Sequence, residues 1–532
     1  MKNAFCALIS LLLVGLLTSC QQHSERDIYT GAYVAHVQLD STTLIATEVM
    51  NGLESPWDIS VDPEGWIWVT ELDGVVSRVN PESGEVMKLL QLRDINRSRG
   101  RGLWTKVLHP DFDQHPYLFL FYSFAEQELG SRIVRYTFTG DTLTERKLIL
   151  DDLPGGRGHN GSRMMIGPDN KLWMGTGDSH RGDLAQNPAT YHGKVLRMNL
   201  DGSIPDDNPF PGSRVWSTGH RNIQGITHGK GHIYTSEHGA AAHDEVNLIK
   251  KGRNYGWPDV QGFCDSDTER QYCRDSLIVE PLVAFDPAVP PAGMEYYDFD
   301  AIPEWKNSLL MSTLRVQTLR VLHLDDSGEQ IENIQIFFQQ HFGRLRDVAV
   351  DQQGRIFLLT SNTDWYRESR PDIHDPGLIE QGDRIIMLQY ADEDLLARFE
   401  NIENQQILVE NMIPRYLGDS EILDDMRAGE QLYLAHCASC HLQDGAGMEG
   451  IVPPLIGSEW VSGSRRGLID MMLYGIPEDE KSGAFDWEMP VYRSLENDEI
   501  TAILNYIREE FSSETDSFSP DEIEDSRNAG GN

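Results

Sequence analysis

Near its C-terminal end the chain carries Cys437-Ala438-Ser439-Cys440-His441. Two thiols one helical turn apart can form thioethers with the two vinyl groups of a haem, and the adjacent His441 then reaches the iron as an axial ligand. The same Cys-x-x-Cys spacing also serves thioredoxin-like redox pairs and zinc half-sites. No second Cys pair and no βαβ pattern surrounds it, so covalent haem c is the reading that remains. A second set of polar motifs is scattered far upstream, at strand ends and turns. These are His159-Asn160-Gly161-Ser162-Arg163, Gly177-Asp178, His220-Arg221-Asn222, Glu237-His238-Gly239-Ala240, Asp244-Glu245, Asn254-Tyr255-Gly256-Trp257 and Gly343-Arg344-Leu345-Arg346-Asp347. Taken singly they read as a loop histidine, a surface arginine pair or a turn acid. They can do joint chemistry only if the fold brings distant loops to one place.

The elements that must position them follow from the pattern of the chain. From residue 42 to 392 short β-rich runs alternate with Gly, Pro, Asp and Asn turns. A turn followed by an alternating apolar strand recurs at Asp62-Pro63-Glu64-Gly65, Gly167-Pro168-Asp169-Asn170 and Asp351-Gln352-Gln353-Gly354. Weaker copies stand at His109-Pro110-Asp111, Gly229-Lys230-Gly231 and Pro303-Glu304-Trp305. Six copies about 45 to 75 residues apart predict an all-β, six-bladed β-propeller, whose loops gather at the ends of a central channel. Residues 393–420 read as a linker. From 421 to 511 the periodicity turns helical, with Ile500, Ile503, Leu504 and Ile507 on one face of the last helix, giving a small all-α domain around the haem motif. Residues 512–532 are rich in Ser, Asp and Glu and read as an acidic disordered tail.

The remaining composition sets location and partners. Eighty-four acidic against 45 basic residues give a formal net charge of -39, which repels nucleic acid and anionic membrane surfaces and favours cationic partners. Residues 1–19 have a basic Lys2 and an apolar run from Ala7 to Leu17, too short to span a bilayer. Leu17-Thr18-Ser19-Cys20 resembles a bacterial lipobox, which implies lipidation of Cys20 and a tether over 20–41. Gln21 after that Cys points to the outer membrane. The expected location is therefore the periplasmic face of the cell envelope, with contact to the membrane through the lipid only. The rival is an ordinary signal peptide with a chance Cys. Cys264 and Cys273 bracket a polar loop and suit a local disulfide after export; two free thiols are the alternative.

Around the haem motif the chain resembles class I cytochrome c over about 95 residues, on Gly429-x-x-Leu432-Tyr433 before the Cys pair, Pro453-Pro454-Leu455 after it and Met489-Pro490 before the last helix. The resemblance implies Met489 as the sixth ligand; Met471 and Met472 are rivals on a packed helical face. Taken as an ordered set, together with Gly193-Lys194-Val195-Leu196-Arg197, the upstream motifs resemble the soluble PQQ-dependent glucose/aldose sugar dehydrogenase family. Hydride transfer from an alcohol needs a base for the hydroxyl proton and a cation at the accepting carbonyl. The resemblance implies His159 as the base, Asp178 as its orienting carboxylate, and Arg221 as the cation with Asn222 beside it. It also implies Arg315, Arg344 and Arg346 as PQQ ligands, Arg315 standing where lysine is frequent. Backbone carbonyls of Gly239 and Ala240 would hold the Ca²⁺ bound with PQQ, and Glu245 and Tyr255 a second Ca²⁺. Gly158 stands where some relatives carry an acid, and Arg99-Gly100-Arg101-Gly102-Leu103 lacks a glutamine found in others; both departures touch the sugar side.

The expected activity is oxidation of a sugar or other alcohol, with electrons passed through the fused haem to a downstream redox acceptor. Two other classes stay in view. In one, the propeller only binds a glycan or partner while the haem carries electrons for another enzyme. In the other, the propeller is a Ca²⁺-dependent, lactonase-like hydrolase.

Overall fold

The computed structural model describes residues 33–364 except 99, 126–128, 241, 266 and 277. It also describes 376–396 and 408–410 and, further on, 429, 432–433, 437, 441, 445–447, 452–476, 489, 491–493, 495–512 and 517–529. Six antiparallel sheets form the blades, and their innermost strands neighbour one another in a closed ring. Those inner strands are Pro56–Val61, Leu103–Leu108, Gly161–Ile166, Ile223–Gly229, Pro291–Tyr297 and Leu345–Val350, in blades 1 to 6. All six recurring turns identified in the sequence fall at one place, between the inner strand and the next strand of each blade. That gives every blade the same polarity. The inner strands start at one mouth of the channel, and the second strands return to that mouth.

Closure combines the two ends of the propeller segment. In blade 6 the inner three strands come from Leu345–Val350, Ile356–Thr360 and Asp383–Tyr390, and Thr43–Leu53 adds the fourth. An open propeller would leave two bare sheet edges, and pairing the first strand with the last removes them. Two expected boundaries move. Tyr33–Gln38, expected in a tether, pairs with Thr43–Leu53 as a fifth strand. Leu408–Glu410, expected in the linker, pairs with the outer strand Ile331–Phe337 of blade 5. In both cases an outer strand with unpaired amides captures a neighbouring extended segment.

Between blades the alternate side chains of each strand form separate apolar clusters. Trp68, Tyr122 and Leu120 pack between blades 1 and 2, and Trp305, Phe337, Ile386 and Leu388 between 5 and 6. The sheets therefore stack like slices, with polar side chains left for the channel.

Blade 4 carries a long excursion from its third strand, Asp244–Leu248, to its fourth, Val283–Phe285. Its first part runs up the outside of blade 3: Thr218 N–H donates to Arg253 O and Tyr255 N–H to Thr218 O, with Trp257 N–H reaching Gly219 O. Its second part contains the helix Asp267–Ser276 and is closed by the Cys264–Cys273 disulfide.

The C-terminal part has its own core. Tyr433, Cys437, Leu468, Ile469, Met472, Ile500, Ile503, Leu504, Ile507 and Phe511 are buried together. Helix Arg465–Tyr474 is capped by the Ser464 hydroxyl, and helix Asn497–Phe511 begins with a Glu496/Glu499 capping box. The expected disordered tail is corrected: Pro520–Ala529 is a helix with Ile523 and Ser526 fully buried, and Phe518 just before it is buried too. Its acidic composition hid two apolar anchors and a basic residue that find partners on the domain. Among the described residues no helix is long and apolar enough to cross a membrane.

Candidate active site

Every inner strand carries a register shift at its first residues, between Pro56 and Asp58, Leu103 and Thr105, Gly161 and Arg163, Ile223 and Gly225, Pro291 and Met294, and Leu345 and Asp347. A bulge inserts an extra residue, bends the strand and re-aims side chains, and barrel rims are where bulges concentrate. Here the bulges point Trp57, Ser162, Gln224 and Arg346 to the mouth. Trp57 Nε1–H donates to Ser162 Oγ at 3.1 Å, and the Arg346 guanidinium lies 4.0 Å from the Trp57 ring centre.

Below the bulges lies a charged layer. Arg163 donates to both Asp58 Oδ2 and Asp347 Oδ2 at 2.7 Å, and Lys106 pairs with the other oxygen of Asp58. Gly293 makes room for this layer, since a Cβ there would meet Asp347 Oδ1 at 1.7 Å. Two cations and two carboxylates from four blades thus sit under the mouth, and each pays for burial with an opposite charge.

The sequence-selected residues converge at that mouth. His159 directly precedes the inner strand of blade 3, and Asp178 follows the second strand of the same blade. His159 Nδ1 is 2.8 Å from Asp178 Oδ1. Asp178 Oδ2 accepts the Trp257 indole N–H at 2.8 Å, and Oδ1 also accepts the His180 backbone N–H at 2.9 Å. The carboxylate on Nδ1 fixes the orientation of the ring. Burial, then the charge of Arg221 and His238, hold His159 well below the ordinary histidine range, which favours the neutral ring. Burial pushes Asp178 up, with Arg221 opposing.

Arg221 and Asn222 precede the inner strand of blade 4. Arg221 O accepts the Asp178 backbone N–H at 2.8 Å, tying the two blades together beside the base. Arg221 donates from its side chain to His238 O at 3.2 Å and lies 5.1 Å from the Trp257 ring centre. Asn222 Oδ1 accepts from Gly161 N–H and Gln224 Nε2, so it braces the loop. His238 is the hub. Burial, then the charges of Arg221, Arg346 and Arg344, depress it to about 3, and its Nε2 bonds Pro291 O at 2.7 Å.

Arg344 and Arg346 share one carboxylate, Asp364 Oδ2, at 2.8 and 3.2 Å. Burial pulls Arg346 down to about 10, only partly offset by Asp364, and its Nε is buried without a hydrogen-bond partner. Two guanidiniums on one acid, with an orphaned donor between them, suit an anionic ligand. Arg315 lies half-buried in the loop after the second strand of blade 5, at the same mouth. Gly239 and Ala240 occupy the matching loop of blade 4, with Gly239 N–H bonded to Asp244 at 2.9 Å.

The second cation site fits less well. Glu245 is buried, with one oxygen on Gly262 N–H and the other on Asn247; burial and then Glu237 push it up to about 8. The Tyr255 hydroxyl bonds Leu248 O and Lys250 N–H instead. The two side chains are thus spent on other partners. Among the described residues no group of three or more His, Cys, Asp or Glu is placed to hold a metal.

Four site residues carry no role in the sequence reading: His180, Trp257, His238 and Asp364. The His180 ring lies tilted against His159 with ring centres 3.8 Å apart, and burial, then His159, depress it to about 3. A Cβ on Gly158 would meet His180 Nε2 at 2.7 Å, so this imidazole takes the room of a side chain at 158. Asp364, like Asp178, follows the second strand of its blade, and that shared position is a signal the sequence does contain. Ser217, His220 and Glu237 line up as a hydrolase triad would, at 2.9 and 3.0 Å. Ser217 and His220 are 0% exposed, so no substrate reaches them. Glu237 instead accepts the Arg221 backbone N–H at 2.8 Å and positions the arginine.

In the C-terminal domain Cys437 N–H bonds Tyr433 O and His441 N–H bonds Cys437 O, each four residues back. His441 Nδ1 lies 3.1 Å from Pro453 O, a contact that fixes the orientation of the ring. Met489 packs against the same core, while Met471 and Met472 are buried within it. Gly429 lets two helices cross, since a Cβ would meet Ala502 O at 2.3 Å. Cys440 and Cys20 lie outside the described residues.

The propeller mouth sets a buried, carboxylate-held histidine among arginines, and a helical domain with a Cys-x-x-Cys-His motif follows it in the chain. The chain belongs to the glucose/sorbosone dehydrogenase family, whose model matches residues 53–366. Residues 424–507 match the family of the cbb3-type cytochrome c oxidase subunit III. Quinoprotein glucose dehydrogenase B of Acinetobacter calcoaceticus is 39% identical over 252 residues, 41% of this chain and 53% of that protein. The PQQ-bound aldose sugar dehydrogenase of Streptomyces coelicolor superimposes with a TM-score of 0.57 at 30% identity, covering 65% of this chain and 98% of that one. Cytochrome c-552 of Thermus thermophilus is 38% identical over 85 residues, 15% of this chain and 64% of that protein.

Proposed function

We propose that the propeller oxidises the hydroxyl of an aldose or other alcohol with PQQ, and that the electrons pass to haem c on the same chain. The observation that carries this is the His159–Asp178 pair, 2.8 Å apart at a mouth where Arg221, Arg344 and Arg346 all act on His238. His159 Nε2 takes the hydroxyl proton, Asp178 keeps the ring in the productive tautomer, and Trp257 holds Asp178. Arg221 faces the developing negative charge. Arg344 and Arg346, with Arg315, receive the carboxylates of the cofactor, and the orphaned Arg346 Nε fits that task. When bound, PQQ supplies the two-electron acceptor. Carbonyls of Gly239 and Ala240 would contribute to Ca²⁺ held with it. A second Ca²⁺ at Glu245 and Tyr255 would have to use backbone oxygens.

Cys437 and Cys440 would carry the haem, with His441 and Met489 as axial ligands. One chain holds both centres, so transfer between them needs no encounter. Export with lipid on Cys20 is part of the same reading, and the Cys264–Cys273 disulfide supports an oxidising compartment.

The test is anaerobic addition of an aldose and alcohol panel to protein loaded with PQQ, Ca²⁺ and haem, followed at the haem bands. Reduction at a rate independent of protein concentration is expected. A haem that stays oxidised across the panel, with PQQ bound, rejects the coupling.

A further inference from the structure

The helix Pro520–Ala529 lies beyond residues 424–507, the part that matches the cytochrome family. It is held firmly. Ile523 is fully buried, and Arg465 grips Glu522 with Nε at 2.9 Å and a terminal nitrogen at 2.5 Å. Ser526 bonds Asp470 through its hydroxyl and accepts from Tyr474 through its carbonyl. From this base Arg527 reaches the segment that follows Met489. One terminal nitrogen donates to Arg493 O at 2.6 Å, the other to Leu495 O, and Nε to Asn497 Oδ1 at 2.9 Å. The opposite side of the same segment is tied to the helix Arg465–Tyr474, with Tyr492 N–H on Met472 O at 2.7 Å and Arg493 Nε on Leu473 O at 2.9 Å.

We propose that Arg527, on the helix Pro520–Ala529, is a positioning residue that clamps the loop bearing Met489 and so holds the thioether against the haem iron. The proposal rests on the reading of Met489 as the sixth ligand. The helix is docked by its apolar anchors Phe518 and Ile523 and by the Glu522 and Ser526 contacts, none of which involves Arg527. Two of the three acceptors of the arginine fork are backbone carbonyls of the loop, and the third is the side chain of Asn497 at the start of the helix that follows it. A guanidinium presents its donors in a rigid plane, so it fixes the loop's path and not merely its proximity. A thioether is a weak ligand, and the ease of displacing it depends on how readily its loop swings away. Hydrogen bonds from a charged donor are each strong enough to change that opening by about tenfold or more.

The experiment uses the full-length, haem-loaded ferric protein and titrates it with imidazole, which competes for the sixth position. Readouts are the methionine–iron charge-transfer band and the haem midpoint potential. Arg527→Ala is expected to bind imidazole about tenfold more tightly, with a lowered potential. Arg527→Lys, which keeps the charge but cannot span three acceptors, is expected to fall between, and it carries the test if the alanine variant loses its fold. Glu524→Gln, exposed on the same helix, is expected to match wild type. Imidazole affinity and potential unchanged in both Arg527 variants, whatever their thermal stability, overturn the clamp. A charge-transfer band that survives in Met489→Ala overturns the ligand reading instead, and the clamp with it.

Discussion

At His159 one ring nitrogen is committed to Asp178, a partner contributed by a different loop of the same blade. His159→Ala should slow sugar-driven haem reduction by ~10²–10⁴ while PQQ still binds, read by stopped-flow and by cofactor titration. Trp257→Phe removes the donor to Asp178 Oδ2 and should cost about 10–100-fold in the same assay. Because His159 titrates well below its ordinary value of 6.5, the acid limb of the rate profile should lie below that pH. The same burial has a stability consequence. His159, His180 and His238 all have native pKa values below their unfolded ones. Between the two values the unfolded chain binds protons that the folded chain does not, so stability is full above about pH 6.5 and falls as the pH drops below it. Each histidine adds about 1.4 kcal/mol per pH unit to that loss. Urea midpoints of the cofactor-free protein from pH 7.5 to 5 should show it, and His180→Gln should flatten the slope. A midpoint that does not move with pH refutes the argument.

The strand bulges and the blade 4 excursion act at the scale of elements. A bulge at the start of every inner strand turns a plain ring into a mouth with side chains aimed inward. Gly293 shows how tightly the layer beneath is built. Gly293→Ala would drive a methyl into the Asp347 carboxylate and should destabilise by about 1–3 kcal/mol in urea unfolding. The excursion delivers Trp257 to Asp178 from outside blade 3, and its far side is closed by Cys264–Cys273. Cys273→Ser should cost about 2–4 kcal/mol and loosen Trp257, so activity should fall along with stability. Lost stability with unchanged activity would separate the loop from the site. The turn phrase announced the blades, since a turn and its following strand are local. Nothing local announced the bulges, because a register shift is defined only against the partner strand.

The whole molecule carries a net charge of -39. Reduction of a small cationic acceptor by the reduced protein should therefore slow as salt rises, while an anionic acceptor such as ferricyanide should speed up. Equal salt responses would place the exit for electrons on a surface shielded from that field. Both ends of the propeller segment meet in blade 6, so the molecule closes only when Thr43–Leu53 is in place. The extra strands Tyr33–Gln38 and Leu408–Glu410 show that segments expected to be spacers are drawn into pairing wherever an edge is open.

The haem-attachment motif, the helix face of Ile500 to Ile507, the six turns and the candidate arginines are all legible in the residues themselves. Each is a short-range pattern whose chemistry depends on near neighbours. The sharing of Asp364 by two arginines, the contact of His180 with His159 and the arrival of Trp257 are not. Nor is the docking of an acidic tail through Phe518, Ile523 and Arg527. These are meetings of residues far apart in the chain, and only closure of the ring and packing of the helices decide which buried charge faces which.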